Sequence, residues 1–195
     1  MNKEESILKM EELDLNTLDY FITANEQEVM HYLAKHNDDL MSLRTQRGQE
    51  YLCPFYYMML GKDLLPIALN HLHEGYTLIL APSLDTKGCL AFGAILFSDT
   101  VGDTIEYVIG EGKVRELDNH PNRYSHYVGV GDVVAVKASN NPHLSQDQVL
   151  MLNRVYKTIK DAIYDDIPCV VEWSYYDRGV GRLNRNLICW EIRGA

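Results

Sequence analysis

Two carboxylates and a guanidinium near the C-terminus are, by type and spacing, the residues of this chain best suited to chemistry. Glu191 and Arg193 stand two apart in a strand-like run, so an extended backbone projects both side chains to one face. Glu172 lies in the preceding strand-like run and joins them if the two strands pair. Carboxylate oxygens are hard donors that hold magnesium, and a guanidinium neutralises phosphate charge, so the trio has the composition of a magnesium-nucleotide site. The plainer reading is a cross-strand ion pair between Arg193 and either Glu172 or Glu191, and on pattern alone it is the commoner outcome.

Other constellations carry less. Gly110-Glu111-Gly112-Lys113 lacks the four-residue spacer and the following Ser or Thr of a P-loop, and reads as a turn. His71 and His73, two apart on a helix, point to different faces, which argues against a shared metal site. His31, His36, His120, His126 and His143 form no ligand-spaced pair. Ser83, Ser98 and Ser174 lack a glycine-flanked nucleophile elbow. Asp177, Arg178, Arg182 and Arg185, beside Tyr175 and Tyr176, have the chemistry to grip phosphate or single-stranded nucleic acid, although a solvated hairpin loop is the commoner outcome for such a segment. Cys53, Cys89, Cys169 and Cys189 make no C-x-x-C pair and are expected to be reduced and mostly buried.

The elements that must position these groups follow from periodicity. Thr23 and Glu26 have capping-box spacing ahead of Val29, Met30, Leu33 and Ala34, which predicts a helix over 24–36. Residues 40–45 read as a short strand, and Pro54 argues against a central strand around Cys53-Pro54-Phe55-Tyr56-Tyr57. Leu64, Leu65, Ala68, Leu69 and Leu72 mark a second helix, ended by Gly75. Strands follow over 76–81, 90–97 and 104–109, the last two joined as a hairpin. The glycine- and polar-rich stretch 110–131 reads as a long functional loop, and 133–138 as a strand. Ser145 and Gln148 have capping-box spacing before the strongest helical stripe, from Leu152 to Ile163, with an end expected near Asp165. Strands over 169–175 and 186–192 close the chain.

The chain has 195 residues, 46% of them hydrophobic, enough to bury one core, and a single domain over 1–195 is the default expectation. Residues 1–22 form an acidic, mobile leader in this reading, without the apolar run of a signal peptide or membrane helix, so a cytoplasmic location is expected. A net charge of −10 disfavours nucleic acid as a partner, because phosphates would meet a repulsive long-range field. The fold class expected is α+β, a mainly antiparallel sheet with flanking helices.

The C-terminal pattern resembles a known family. Leu144-Ser145, Val149-Leu150, Leu152, Val170-Val171-Glu172-Trp173 and Cys189-Trp190-Glu191-Ile192-Arg193 are similar, in order and spacing, to the end of the ATP-grasp domain of phosphoenolpyruvate synthase and pyruvate phosphate dikinase. That domain has an L-S-x-x-x-V-L-x-L helix, then D-I-E-W and L-Q-A-R strands. Ala91-Phe92-Gly93-Ala94-Ile95-Leu96-Phe97 resembles its A-G-V-x-F strand, Ile109-Gly110-Glu111-Gly112-Lys113-Val114 its G-x-G-E-x-V segment, and Leu43-Arg44-Thr45 its V-R-S element. The resemblance implies a truncated, divergent ATP-grasp lobe over 76–195. In it, Glu172 and Glu191 would ligate Mg2+, Arg193 and Arg44 would contact phosphates, and the backbone at Leu80 and Ala81 would hold adenine. Glu191 stands where the family usually has glutamine. The phosphate-gripping lysine lobe has no counterpart in the short leader before Arg44. The resemblance thus implies a magnesium-ATP-binding protein acting as a phosphotransferase. The alternative is a non-catalytic nucleotide- or protein-binding module that keeps the fold without turnover, with a protein partner or a second copy as its ligand.

Overall fold

A computed structural model describes residues 1–48, 50, 53–98, 102–112, 124–128, 144–162 and 169–194, with backbone only for 124–128. The expected strand over 133–138, the loop residues His120, Arg115 and Arg123, and the helix end near Asp165 lie outside the described residues. The fold is α+β with two antiparallel sheets. Where the sequence reads as one domain, the chain divides into two compact units, Met1–Glu5 with Leu18–Asp85, and Ser6–Thr17 with Thr86–Ala195.

The first unit carries a four-stranded sheet of order β1-β4-β2-β3, formed by β1 (Phe21–Thr23), β2 (Leu40–Gln46), β3 (Phe55–Leu60) and β4 (Thr77–Pro82). Helices α2 (Glu26–Lys35) and α3 (Gly61–His73) pack on it. Val29 and Leu33 of α2 and Leu64 and Ala68 of α3 meet Met41, Leu43, Leu78 and Leu80 in one buried cluster. Pro54 has its expected effect: β3 follows it as the edge strand. Gly61 opens α3 at a close crossing, where a Cβ would lie 2.2 Å from the His36 carbonyl oxygen. His71 is buried and His73 exposed, as the helical spacing requires. The His71 ring stands between the Tyr56 hydroxyl (3.0 Å) and the Glu74 carboxylate (2.9 Å).

The cap of α2 differs from the expected one. Asn25, not Thr23, is the N-cap, its side-chain oxygen accepting from the Glu28 amide at 3.2 Å. Thr23 is held in β1 by pairing with Leu78, and its hydroxyl accepts from the Asn25 amide and donates to the Glu28 carboxylate. The capping function moves two residues along because strand pairing has claimed the earlier residue. Asn25→Ala is expected to lower stability by about 1 kcal/mol, read from the denaturant midpoint at unchanged slope.

The first 22 residues, read as an acidic leader, carry a helix and the start of β1. Helix α1 (Lys3–Glu12) is capped reciprocally: the Asn2 amide donates to Glu5 Oε2 at 2.8 Å, and the Glu5 amide donates to Asn2 Oδ1 at 2.9 Å. Ile7 and Met10 are fully buried. An interior stripe of two apolar residues among many charges is too sparse for periodicity to register.

The second unit carries a five-stranded sheet of order β7-β6-β5-β8-β9. Its strands are β5 (Cys89–Phe97), β6 (Asp103–Ile109), β7 (Tyr124–Val128), β8 (Cys169–Val180) and β9 (Arg185–Gly194). The expected hairpin is present as β5 and β6, and part of the expected long loop is β7, paired with β6. Helix α4 (Gln146–Ala162) starts at the expected capping box, with the Ser145 amide donating to Gln148 Oε1 (2.6 Å) and the Gln148 amide to Ser145 Oγ (3.3 Å). Tyr156 of α4 stacks on Phe97 of β5 at 5.4 Å, which places the helix on the face shared by Phe97, Val171 and Trp173. Gly93 is needed beneath that indole. A Cβ there would stand 2.0 Å from the Glu106 carbonyl oxygen and 2.9 Å from Trp173.

Candidate functional site

Strand alternation puts Glu172, between the fully buried Val171 and Trp173, on the sheet face away from α4. The register then settles what spacing left open. Glu172 of β8 pairs directly with Glu191 of β9, and Val170 pairs with Arg193. Both carboxylates and the guanidinium therefore share one face. Arg193 Nε stands 3.5 Å from Glu172 Oε1, so the cross-strand ion pair is present. It coexists with the carboxylate pair rather than replacing it.

The same row extends further than the sequence reading reached. Ala94 of β5 pairs with Glu172 on one side and with Glu106 of β6 on the other, so Glu106, Ala94, Glu172 and Glu191 run across four strands on one face. Nothing local to Glu106 marks it. Its place depends on the β5–β6 register, which only the pairing reveals.

A bulge lies beside the pair. Glu172 pairs with Glu191 while Trp173 pairs with Cys189, leaving Trp190 as an extra residue in β9. The extra residue turns the strand, so Trp190 donates its indole N–H to Ser174 Oγ at 2.8 Å, on the face of Glu172. Consecutive residues Trp190 and Glu191 thereby reach one side of the sheet. Aliphatic spacing would not have disclosed this.

Arg44, Leu80 and Ala81 come together in the first unit. Leu80 pairs with Phe21 and Leu43, and Ala81 pairs with Ser42, whose hydroxyl donates to the Ala81 carbonyl at 3.2 Å. Arg44 pairs with Ile79 and Phe55, and its guanidinium lies over the Phe55 ring at 4.9 Å. The six residues singled out from the sequence thus form two groups, Arg44, Leu80 and Ala81 in one unit, and Glu172, Glu191 and Arg193 in the other.

The donor set fits a hard divalent cation. Two opposed, partly exposed glutamates supply oxygen ligands. Among the described residues no three His, Cys, Asp or Glu side chains converge as a metal cage. Magnesium does not require one, because it takes one or two carboxylates and fills the rest of its shell with water and phosphate oxygen.

The arginine hairpin is tied to the N-terminal segment. The Arg182 amide donates to the Thr17 carbonyl at 2.7 Å, and the Arg185 guanidinium reaches the Asp14 carboxylate at 3.3 Å, so both residues hold the segment that precedes β1. The cysteines are all free thiols, three of them buried. Burial pushes the Cys89 thiol up to about 11 and the Cys189 thiol up to about 12, so both are protonated and unreactive at neutral pH. Among the described residues no helix is long and apolar enough to cross a membrane.

No protein-family description and no curated protein sequence matches the chain. Solved structures do. The D-alanine-D-alanine ligase from Helicobacter pylori is similar over 98% of this chain and 53% of its own, at 16% identity and a TM-score of 0.61. A RiPP-associated ATP-grasp ligase from Chryseobacterium gregarium, in complex with ADP and a leader and core peptide, is similar over 98% of this chain and 51% of its own, at 10% identity and a TM-score of 0.54. A dinucleotide-forming acetyl-coenzyme A synthetase from Ca. Korarchaeum cryptofilum is similar over 97% of this chain and 90% of its own, at 9% identity and a TM-score of 0.56. The chain therefore has an ATP-grasp-like fold, and it spans about half the length of the two ligases. The sequence resemblance lay mainly in residues 76–195, with Leu43-Arg44-Thr45 ahead of them, whereas the structural likeness takes in nearly the whole chain. The likeness does not single out the phosphoenolpyruvate synthase and pyruvate phosphate dikinase type.

Proposed function

We propose that the chain binds a magnesium-nucleotide complex, ATP foremost, and uses it for phosphoryl transfer. The observation that carries this reading is the direct pairing of Glu172 with Glu191, with Arg193 beside them, all partly exposed, on the sheet face away from α4 in an ATP-grasp-like fold. Glu172 and Glu191 hold the metal, and Arg193 exchanges its hold on Glu172 for a phosphate oxygen. Bound magnesium would neutralise charge on the transferring phosphoryl group. The chain's own contribution is to orient the phosphates and keep their charge compensated, which is most of what such a reaction needs.

Thermal unfolding tests the reading, since a ligand that binds only the native state raises the midpoint. ATP and magnesium together should raise it by several degrees, on the order of the 2–3 kcal/mol that ligand at about 100 times its Kd contributes. Either one alone should do much less, and Glu172→Ala should abolish the magnesium-dependent part while leaving the ligand-free midpoint nearly unchanged. A wild-type midpoint indifferent to millimolar magnesium-ATP would refute the proposal. A shift without consumption of ATP in the presence of candidate acceptors would favour the non-catalytic binding module.

A further inference from the structure

Strand β9 is the outer strand of its sheet, so alternate amides on it point away from β8 and need acceptors elsewhere. The segment Ser6–Thr17 supplies two of them. The Cys189 amide donates to the Asn16 carbonyl at 2.7 Å, and the Ile192 amide donates to Ser6 Oγ at 2.7 Å. Ser6 is fully buried. The two bonds bracket the bulge at Trp190, one on each side, with Glu191 between them.

We propose that Ser6 is a positioning residue for the carboxylate and arginine of β9. The inference rests on the magnesium-nucleotide reading of Glu172, Glu191 and Arg193. A bulge inserts one extra residue, and that residue can be taken up at more than one place along the strand. If it moves past Glu191, the pairing slips by one position and the side chain leaves the face of Glu172. The Asn16 carbonyl fixes the strand before the bulge. The Ser6 hydroxyl fixes it after the bulge, on the amide that lies between Glu191 and Arg193 in sequence. Outer groups that orient metal ligands in this way are worth as much to metal affinity as some ligands themselves.

The test uses the full chain with Ser6→Ala and Ser6→Cys. Cysteine fills nearly the same volume but is a poor acceptor, so a packing role predicts wild-type behaviour for it and a positioning role predicts alanine-like behaviour. Calorimetric titration with ATP, in magnesium and in chelator, is paired with hydrogen exchange at the Ile192 amide. The expected result is a loss of about tenfold in magnesium-dependent ATP affinity for both variants, unchanged affinity in chelator, and faster exchange at Ile192. Ser6→Cys carries the test if the alanine cavity unfolds the chain. Wild-type affinity in magnesium for a folded variant overturns the positioning role alone. A wild-type chain without magnesium-dependent ATP binding overturns the nucleotide reading and this inference with it.

Discussion

Asn16→Ala is expected to cost about 3 kcal/mol of stability, because one buried side chain meets four backbone groups of the β8–β9 hairpin. Its Nδ2 donates to the Val180, Arg185 and Leu187 carbonyls at 2.8, 3.2 and 2.9 Å, and its Oδ1 accepts from the Leu183 amide at 2.8 Å. Truncation strands the Val180 and Leu187 carbonyls in the interior and removes the part-buried partners of Leu183 and Arg185. Gly181 seals the same contact: it has φ +73°, and a Cβ on it would lie 2.4 Å from the Thr17 carbonyl oxygen. Asn16→Asp separates hydrogen bonding from volume. A carboxylate would face three carbonyl oxygens and destabilise at neutral pH. Facing those oxygens holds the folded-state carboxyl above its unfolded value of about 4, so protonation restores a donor and the aspartate variant should recover relative to wild type as pH falls from neutrality toward about 4, with no further gain below it. Equal denaturant midpoints for wild type and both variants at pH 7 would show that the hairpin does not depend on this residue.

Asp103→Asn is expected to cost about 2–4 kcal/mol at pH 7 and progressively less in acid. The carboxylate is buried under α4, accepting from the Tyr156 hydroxyl at 2.5 Å, from Lys160 Nζ at 2.8 Å and from the Ser98 amide at 3.0 Å. Lys160 also donates to the Tyr156 oxygen at 2.7 Å, which closes the triad. Burial by itself would raise the Asp103 carboxyl, but the hydrogen bonds from Lys160, Tyr156 and Ser98, with the lysine charge, hold it below the ordinary carboxylate range. A depressed carboxyl contributes stability that is fully present above its unfolded value of about 4 and is lost as pH falls through the lower folded value. The gap between wild type and Asp103→Asn should therefore be widest near neutrality and narrow below about pH 4. Burial and the Asp103 bond raise Tyr156, so its contribution is present below about pH 10 and is lost at higher pH. Denaturant unfolding of both proteins between acid and neutral pH measures the gap, and a gap independent of pH would exclude the ionised carboxylate as its source.

The triad also shows why proximity of titratable groups is not enough to suggest catalysis. Tyr156 and Lys160 are both shifted upward, away from the values a general base at neutral pH requires. Asp103 fastens α4 to the start of β6.

Periodicity and capping chemistry were enough to determine most elements of this protein. The helix begun by Ser145 and Gln148, the edge position after Pro54, the opposite environments of His71 and His73, and the common face of Glu191 and Arg193 all depend on residues within a few positions of one another. Tertiary structure alone decided the rest. Whether Glu172 faces Glu191 depends on a register that a single slipped residue would invert, and the bulge at Trp190 that sets it is held from outside the strand by Ser6 and Asn16, more than 170 positions earlier. Glu106 enters the row through a third strand, and Thr23 loses its cap because β1 pairs with β4. In each case the deciding energy is a backbone hydrogen bond or a buried contact between residues far apart in sequence, and local propensity carries no trace of it.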